Sequence, residues 1–280
     1  MSAKSSLSLL AITPTQHTGV FGIRRETAVK PNLSGDRFLV KARMVTSTKP
    51  GNSARVQGMS ATLKKRRREL YLECDMDEPQ LLNLGLGNVV ALSRQCPGKI
   101  EPNDDSAVVV ETSSGAILLA VADGVGGAPM GYKASAIAVE SIAEEVLDAG
   151  PSDDLRSYIL DGIERANREI LDLGVGAATT LSVVEVHESR ARAYQVGDSM
   201  SLFVGQRGAL KWCSTPHSPV GYATEAGVLD EDEALHHEDR HLVSNLLGTP
   251  EMKIEIGPSV SLAAKDTVIV GSDGLFDNLY

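Results

Sequence analysis

Two apolar runs in this chain lead to the same dipeptide. Residues 116–122, Ala-Ile-Leu-Leu-Ala-Val-Ala, run into Asp123-Gly124, and the run from Asp266 to Gly271 reaches Asp273-Gly274 after Ser272. A carboxylate at the end of a buried strand sits at the margin of a rigid element, where a sheet offers positions for function. A third acidic pair, Asp104-Asp105, stands just before the β-type run 106–111, and Ser113-Ser114-Gly115 turns that run back on 116–122 as a hairpin. Antiparallel pairing then brings Asp104, Asp105 and Asp123 to one edge. Two carboxylates about 4 Å apart repel by about 4 kcal/mol at an effective dielectric of 20, so such a cluster shifts its pKa values or holds cations. Oxygen donors with no His or Cys close in sequence favour hard divalent ions, Mg²⁺ or Mn²⁺, over zinc. The glycine after each Asp permits a sharp turn and can offer its own carbonyl to an ion. A single Asp-Gly after a strand is most often only a turn. On the residues alone, a divalent-metal site and a set of turns both stay open.

The elements that would position these groups read as α+β. Ala134, Ile137, Ala138, Ile142, Val146 and Ala149 recur at helical spacing and make one apolar face. A second helix is expected after Pro151, capped by Ser152, with Leu155, Ile159, Ile163, Ala166 and Ile170 turned inward. Short strands follow at 178–187, 190–196, 200–205 and 208–213, and a last one ends at Gly271. Hairpins plus a consecutive helix pair argue for antiparallel sheets covered by helices, not for a doubly wound parallel sheet.

The chain has 280 residues, 42% hydrophobic and 23% charged, which excludes wholesale disorder, a collagen-like repeat and a multi-span membrane protein. Cys74, Cys96 and Cys213 make neither a disulfide framework nor a zinc motif, so a reducing compartment is expected. Charge is unevenly spread. Residues 1–70 carry 14 Lys and Arg against three acids, a balance of +11, and the other 210 carry 13 against 34, a balance of −21. Residues 1–70 therefore read as a basic, mostly disordered segment, with the folded part at 84–280. The patch Leu7 to Ile12 is too short to span a membrane. The basic run Lys64 to Arg68 reads first as a solvated flank and second as a nucleic-acid or lipid contact, which the acidic body disfavours. Cytoplasmic localisation is expected, with an organelle such as the mitochondrion as the alternative if the leader acts as a transit peptide.

The succession Asn103-Asp104-Asp105, Val121-Ala122-Asp123-Gly124-Val125-Gly126-Gly127, Gly197-Asp198-Ser199 and Gly271-Ser272-Asp273-Gly274-Leu275-Phe276-Asp277 resembles the metal-dependent protein phosphatase family, type 2C, in order and spacing. The strand Ala178-Thr179-Thr180-Leu181 is similar too, and the resemblance covers roughly residues 84–280. It implies a four-layer α-β-β-α sandwich of two antiparallel sheets flanked by helices. It also implies two Mn²⁺ or Mg²⁺ ions at one end, with a weak third. On that resemblance Asp104, Asp105, Asp123 and Asp273 are the catalytic carboxylates. Asp123 bridges the ions, the Gly124 carbonyl binds one and Asp273 the other. Asp104 stands where the family has a Glu that holds metal-bound waters, and Asp105 supports the site. Asp198 and Asp277 match the third-ion positions. The implied reaction is hydrolysis of phosphoserine and phosphothreonine in proteins by a metal-bridged hydroxide. The implied partner is a phosphoprotein substrate; apart from the resemblance, no membrane partner is expected, nucleic acid only through the basic residues 1–70, and the chain is expected to be a monomer.

Two departures qualify the likeness. The family's phosphate-binding Arg, three residues before the Asn, is replaced by Ile100, leaving Lys99 as the nearest cation for substrate phosphate. The family also continues with a helix, an Asp-Asn motif and a closing strand. With its C-terminal part missing past Tyr280, the domain is expected to bind one ion more weakly and to leave an edge or gap in a sheet. That raises an alternative, a catalytically impaired phosphatase-like binding or regulatory module. His236, His237 and His241 read as a solvated helix face near the cleft, Trp212 as core, and Ser199 and Ser272 as hydroxyls with no nearby His to make them nucleophiles.

Overall fold

The computed structural model describes residues 6–14, 66–150 and 154–278. Its two sheets are antiparallel. The first is ordered β10 (Leu210–Cys213), β9 (Met200–Val204), β13 (Thr267–Gly271), β1 (Leu7–Pro14), β4 (Gly87–Arg94) and β3 (Gln80–Asn83). The second is ordered β11 (Glu255–Ile256), β8 (Arg190–Val196), β7 (Leu181–His187), β6 (Ile117–Asp123), β5 (Asp105–Glu111) and β2 (Arg67–Leu72), with β12 (Val260–Ser261) also on β8.

Strands β5 and β6 are apolar on both faces because each face is covered. Ala107, Val109, Ile117, Leu119 and Val121 meet Leu10, Ile12, Val89 and Val268 of the first sheet. Val108, Val110, Leu118 and Ala120 lie against helices α1 (Gly131–Asp148) and α2 (Leu155–Asp172). On α2 the expected face is the buried one, with Leu155, Ile159, Ile163, Ala166 and Ile170 inward. Its cap is Asp154, whose side chain accepts from Arg156 N–H, whereas Ser152 lies outside the described residues. Two short helices, α3 (Pro219–Glu225) and α4 (Glu231–His236), follow β10, and α5 (Asp273–Phe276) packs on β1 and β13. The fold is α+β, two antiparallel sheets with helices.

The reading of residues 1–70 as outside the fold needs correction at both ends. Residues 7–14 form an interior strand, paired with β13 through Leu9↔Gly271 and with β4 through Leu9↔Leu92. Leu10 and Ile12 are wholly buried. A segment's average composition hides this, because one strand needs only an alternation of six to eight residues to bury a face. Arg67 and Arg68 likewise belong to β2, paired with β5. Residues 1–5 and 15–65, with the rest of the basic segment, lie outside the described residues. Trp212, expected in the core, is half-buried, its ring 5.0 Å from that of Phe203.

Candidate metal centre

The hairpin of β5 and β6 sets Asp105 directly opposite Asp123 at the end of the second sheet. Neither backbone is free to drift. Asp123 N–H donates to Thr180 Oγ1 (3.1 Å), and its carbonyl accepts from Thr180 N–H (2.9 Å) and Thr179 Oγ1 (2.8 Å). Asp105 N–H donates to Oδ1 of the buried Asn103 (3.1 Å), whose Nδ2 donates to Cys74 O (2.6 Å) and Ser93 Oγ (3.1 Å). The first sheet contributes Asp273, at the start of α5 just past β13. Ser272 bridges the sheets by donating its hydroxyl to Asp105 Oδ2 (2.8 Å).

The two Asp-Gly glycines are required by space. A Cβ on Gly124 would lie 2.3 Å from the Gly131 carbonyl, where α1 begins, and one on Gly274 would lie 1.8 Å from Ser6 O. Neither has a positive φ, so close approach of backbones, not turn geometry, selects them.

Asp105 is sealed from solvent, Asp123, Asp198 and Asp273 are half-buried, and Asp277 is exposed at residue level. Burial raises the Asp105 carboxyl above the usual range. The Ser272 hydroxyl pulls it back, and Asp273 adds to the rise. Burial also raises Asp123 well above that range, followed by the charges of Asp105, Asp273 and Asp198. Asp198 is pushed up to about 7, by burial first and Asp273 second. Asp277 is raised by partial burial of its carboxyl and by Asp273, against the pull of Arg240 and His241. Asp105, Asp123, Asp198 and Asp273 therefore form one interacting set drawn from both sheets, with Asp277 at its edge.

That set fits a hard divalent ion in chemistry. Every donor is oxygen, and the buried Asp105 Oδ1 has no hydrogen-bond partner. An ion would supply the charge that the raised carboxyls otherwise take up as protons. Among the described residues, no group of three or more His, Cys, Asp or Glu is drawn tightly enough to hold an ion as it stands.

The remaining sequence candidates lie beside this set. Asp104 Oδ2 pairs with Lys99 Nζ, so the two side chains assigned to bound water and to substrate phosphate engage each other. The Asp104 carbonyl accepts from Gly124 N–H (3.1 Å), tying the pair to the site through the backbone. Ile100, at the position of the family's Arg, is 97% exposed and offers no charge. His236 and His237 are spent locally, His236 Nδ1 on Asp232 O (2.8 Å) and His237 Nδ1 on Asp239 N–H (3.1 Å). Arg240 and His241 act on Asp277, which spacing did not suggest. Sequence reading also missed Ser8 and Ser93, isolated serines that carry no motif.

The sequence pattern of the family described as Protein phosphatase 2C matches residues 95–280. A putative protein phosphatase 2C-type protein of Streptococcus pyogenes serotype M6 is 28% identical over 194 residues, 66% of this chain and 78% of that one. The solved serine/threonine phosphatase of S. agalactiae is 25% identical with a TM-score of 0.58, covering 75% of this chain and 81% of that one. The catalytic domain of the serine threonine protein phosphatase PstP, solved in complex with two manganese ions, shares the fold. It has a TM-score of 0.53 and 22% identity, covering 76% of this chain and 79% of that one.

Proposed function

The chain belongs to the protein phosphatase 2C family, a metal-dependent family, and we propose that it hydrolyses phosphoserine and phosphothreonine in proteins with two Mn²⁺ or Mg²⁺ ions. The observation that carries this is the meeting of Asp105 and Asp123 from one sheet with Asp273 from the other, in a buried setting that raises Asp105 and Asp123. Asp123, Asp273 and the Gly124 carbonyl would hold the pair of ions, Asp105 would support them, and Asp198 with Asp277 would hold a weaker third. Bound there, divalent ions supply an activated water for in-line attack and neutralise charge on the phosphoryl oxygens.

The chain's own residues do the placing. The Thr179 and Thr180 bonds fix the Asp123 backbone, and Ser272 fixes one oxygen of Asp105. Lys99, paired with Asp104, is the nearest cation to exchange that partner for substrate phosphate in place of an Arg, as a point charge and not a bidentate fork. Among the described residues no helix is long and apolar enough to cross a membrane. We place the protein in the cytoplasm as a monomer acting on phosphoproteins. Purified chain is expected to hydrolyse a phosphothreonine peptide with Mn²⁺ and to stop when a chelator is added. Asp123→Asn and Asp273→Asn should each lower kcat at least about 100-fold. Turnover that persists without metal, or in Asp123→Asn, would contradict the proposal.

A further inference from the structure

Ser272 stands at the N-cap of α5, where a serine ordinarily accepts a bond from its own helix, yet its side chain makes none there. Its hydroxyl instead donates to Asp105 Oδ2 (2.8 Å) and accepts from Ser8 N–H (3.0 Å), while Ser272 N–H donates to Ser8 O (3.1 Å). Ser8 Oγ donates to Ser93 Oγ (2.9 Å), which also accepts from Asn103 Nδ2 (3.1 Å), and Asn103 Oδ1 accepts from Asp105 N–H (3.1 Å). The bonds close a ring through β1, β4, the N-cap of α5 and the start of β5, and all five residues are at most 1% exposed.

We propose that Ser8 and Ser272 are positioning residues for the metal centre: β1 fixes the Ser272 hydroxyl, and that hydroxyl fixes the Asp105 carboxylate. A serine hydroxyl has one proton to give. With Ser8 N–H on one lone pair, the Ser272 proton points to Asp105 Oδ2. The carboxylate is thereby held at one oxygen, and Oδ1, which has no hydrogen-bond partner, is left for a cation. Groups that orient a ligand from behind set metal affinity nearly as strongly as the ligands do. The N-terminal strand, about 260 residues from Ser272 in sequence, is thus part of the working site as well as of the sheet.

This inference rests on the proposed role of Asp105, so the test separates the two. Mn²⁺ binding to the full chain is measured by calorimetry, and kcat and KM are measured with a phosphothreonine peptide across Mn²⁺ concentrations. Ser272→Ala is expected to weaken Mn²⁺ binding about tenfold, in the range seen when such orienting partners are removed. The Mn²⁺ needed for half-maximal rate should rise equally, with peptide KM unchanged at saturating metal. Ser8→Ala, which keeps the backbone N–H but drops the link to Ser93, is expected to weaken it about twofold to threefold. The double variant should fall short of the product of the two, as members of one ring do. A merely structural role would lower the melting temperature and leave Mn²⁺ affinity alone. Asp105→Asn losing Mn²⁺ while Ser272→Ala keeps parental affinity overturns the inference alone. Unchanged affinity in Asp105→Asn overturns both it and the reading of the site. Should Ser272→Ala fail to fold, Ser272→Cys, close in size and a weak donor, decides the same question.

Discussion

Replacing Asp198 by Asn removes a carboxylate whose pKa is raised from 3.8 to about 7 by burial and by Asp273. A folded value above the unfolded one means that the native chain holds this proton more tightly. Its contribution to metal-free stability is complete below about pH 4, falls away as pH rises toward 7, and is gone above it. About three units at 1.36 kcal/mol each come to about 4 kcal/mol. Asp198 is only half-buried and solvent screens it, so about 2 kcal/mol is the working figure. Asn carries no charge and pays no such penalty. In the presence of chelator, Asp198→Asn is expected to match the parent within about 0.5 kcal/mol near pH 4 and to exceed it by about 2 kcal/mol near pH 8.5. Urea unfolding of both proteins at the two pH values reads this difference together with the relief of Asp123, which the Asp198 charge also raises, since titrating groups outside the cluster cancel between them. Saturating Mn²⁺ should erase the advantage by neutralising the parent's carboxylates. An Asn variant that is less stable near pH 8.5, or whose difference from the parent does not change with pH, would refute the electrostatic account of the cluster.

Three further outcomes follow from packing and charge. Leu10→Ala should cost about 2–5 kcal/mol and lower the melting temperature by about 2–4 °C per kcal/mol, because Leu10 is wholly buried between the sheets. A loss near 0.5 kcal/mol in urea unfolding would place β1 outside the core. Gly274→Ala puts a methyl 1.8 Å from a backbone oxygen and should cost more than about 2 kcal/mol. Gly126→Ala, with nothing within 4 Å, should stay within about 0.5 kcal/mol, and equal effects would refute the steric assignment. Lys99→Ala should change stability by less than about 1 kcal/mol, the pair with Asp104 being partly exposed, yet raise peptide KM severalfold. An unchanged KM would remove Lys99 from phosphate binding.

Much of this architecture is written in short stretches of the chain. The face of α2 from Leu155 to Ile170 shows in helical spacing, since a helix repeats within four residues and each buried position announces the next. The pairing of Asp105 with Asp123 is legible for a similar reason, because a tight turn fixes register over the few residues of one hairpin. What lies beyond such ranges is not. Nothing near Leu7–Pro14 says that this strand inserts between β4 and β13, some 80 and 260 residues away, since an alternating apolar strand fits any sheet that lacks a neighbour. Nor could spacing say that Ser8, Ser93 and Ser272 meet, or that Lys99 faces Asp104. Hydroxyls and amines take partners from whatever packing brings within about 3 Å. Residue types and local periods determined strands β5 to β10 and β13, the main helices and which carboxylates could bind a cation, but not β1 to β4, β11 or β12. Tertiary packing alone decided which backbone lies against which, and so which oxygen of Asp105 is tied and which is free, because that depends on contacts between segments that share no local pattern.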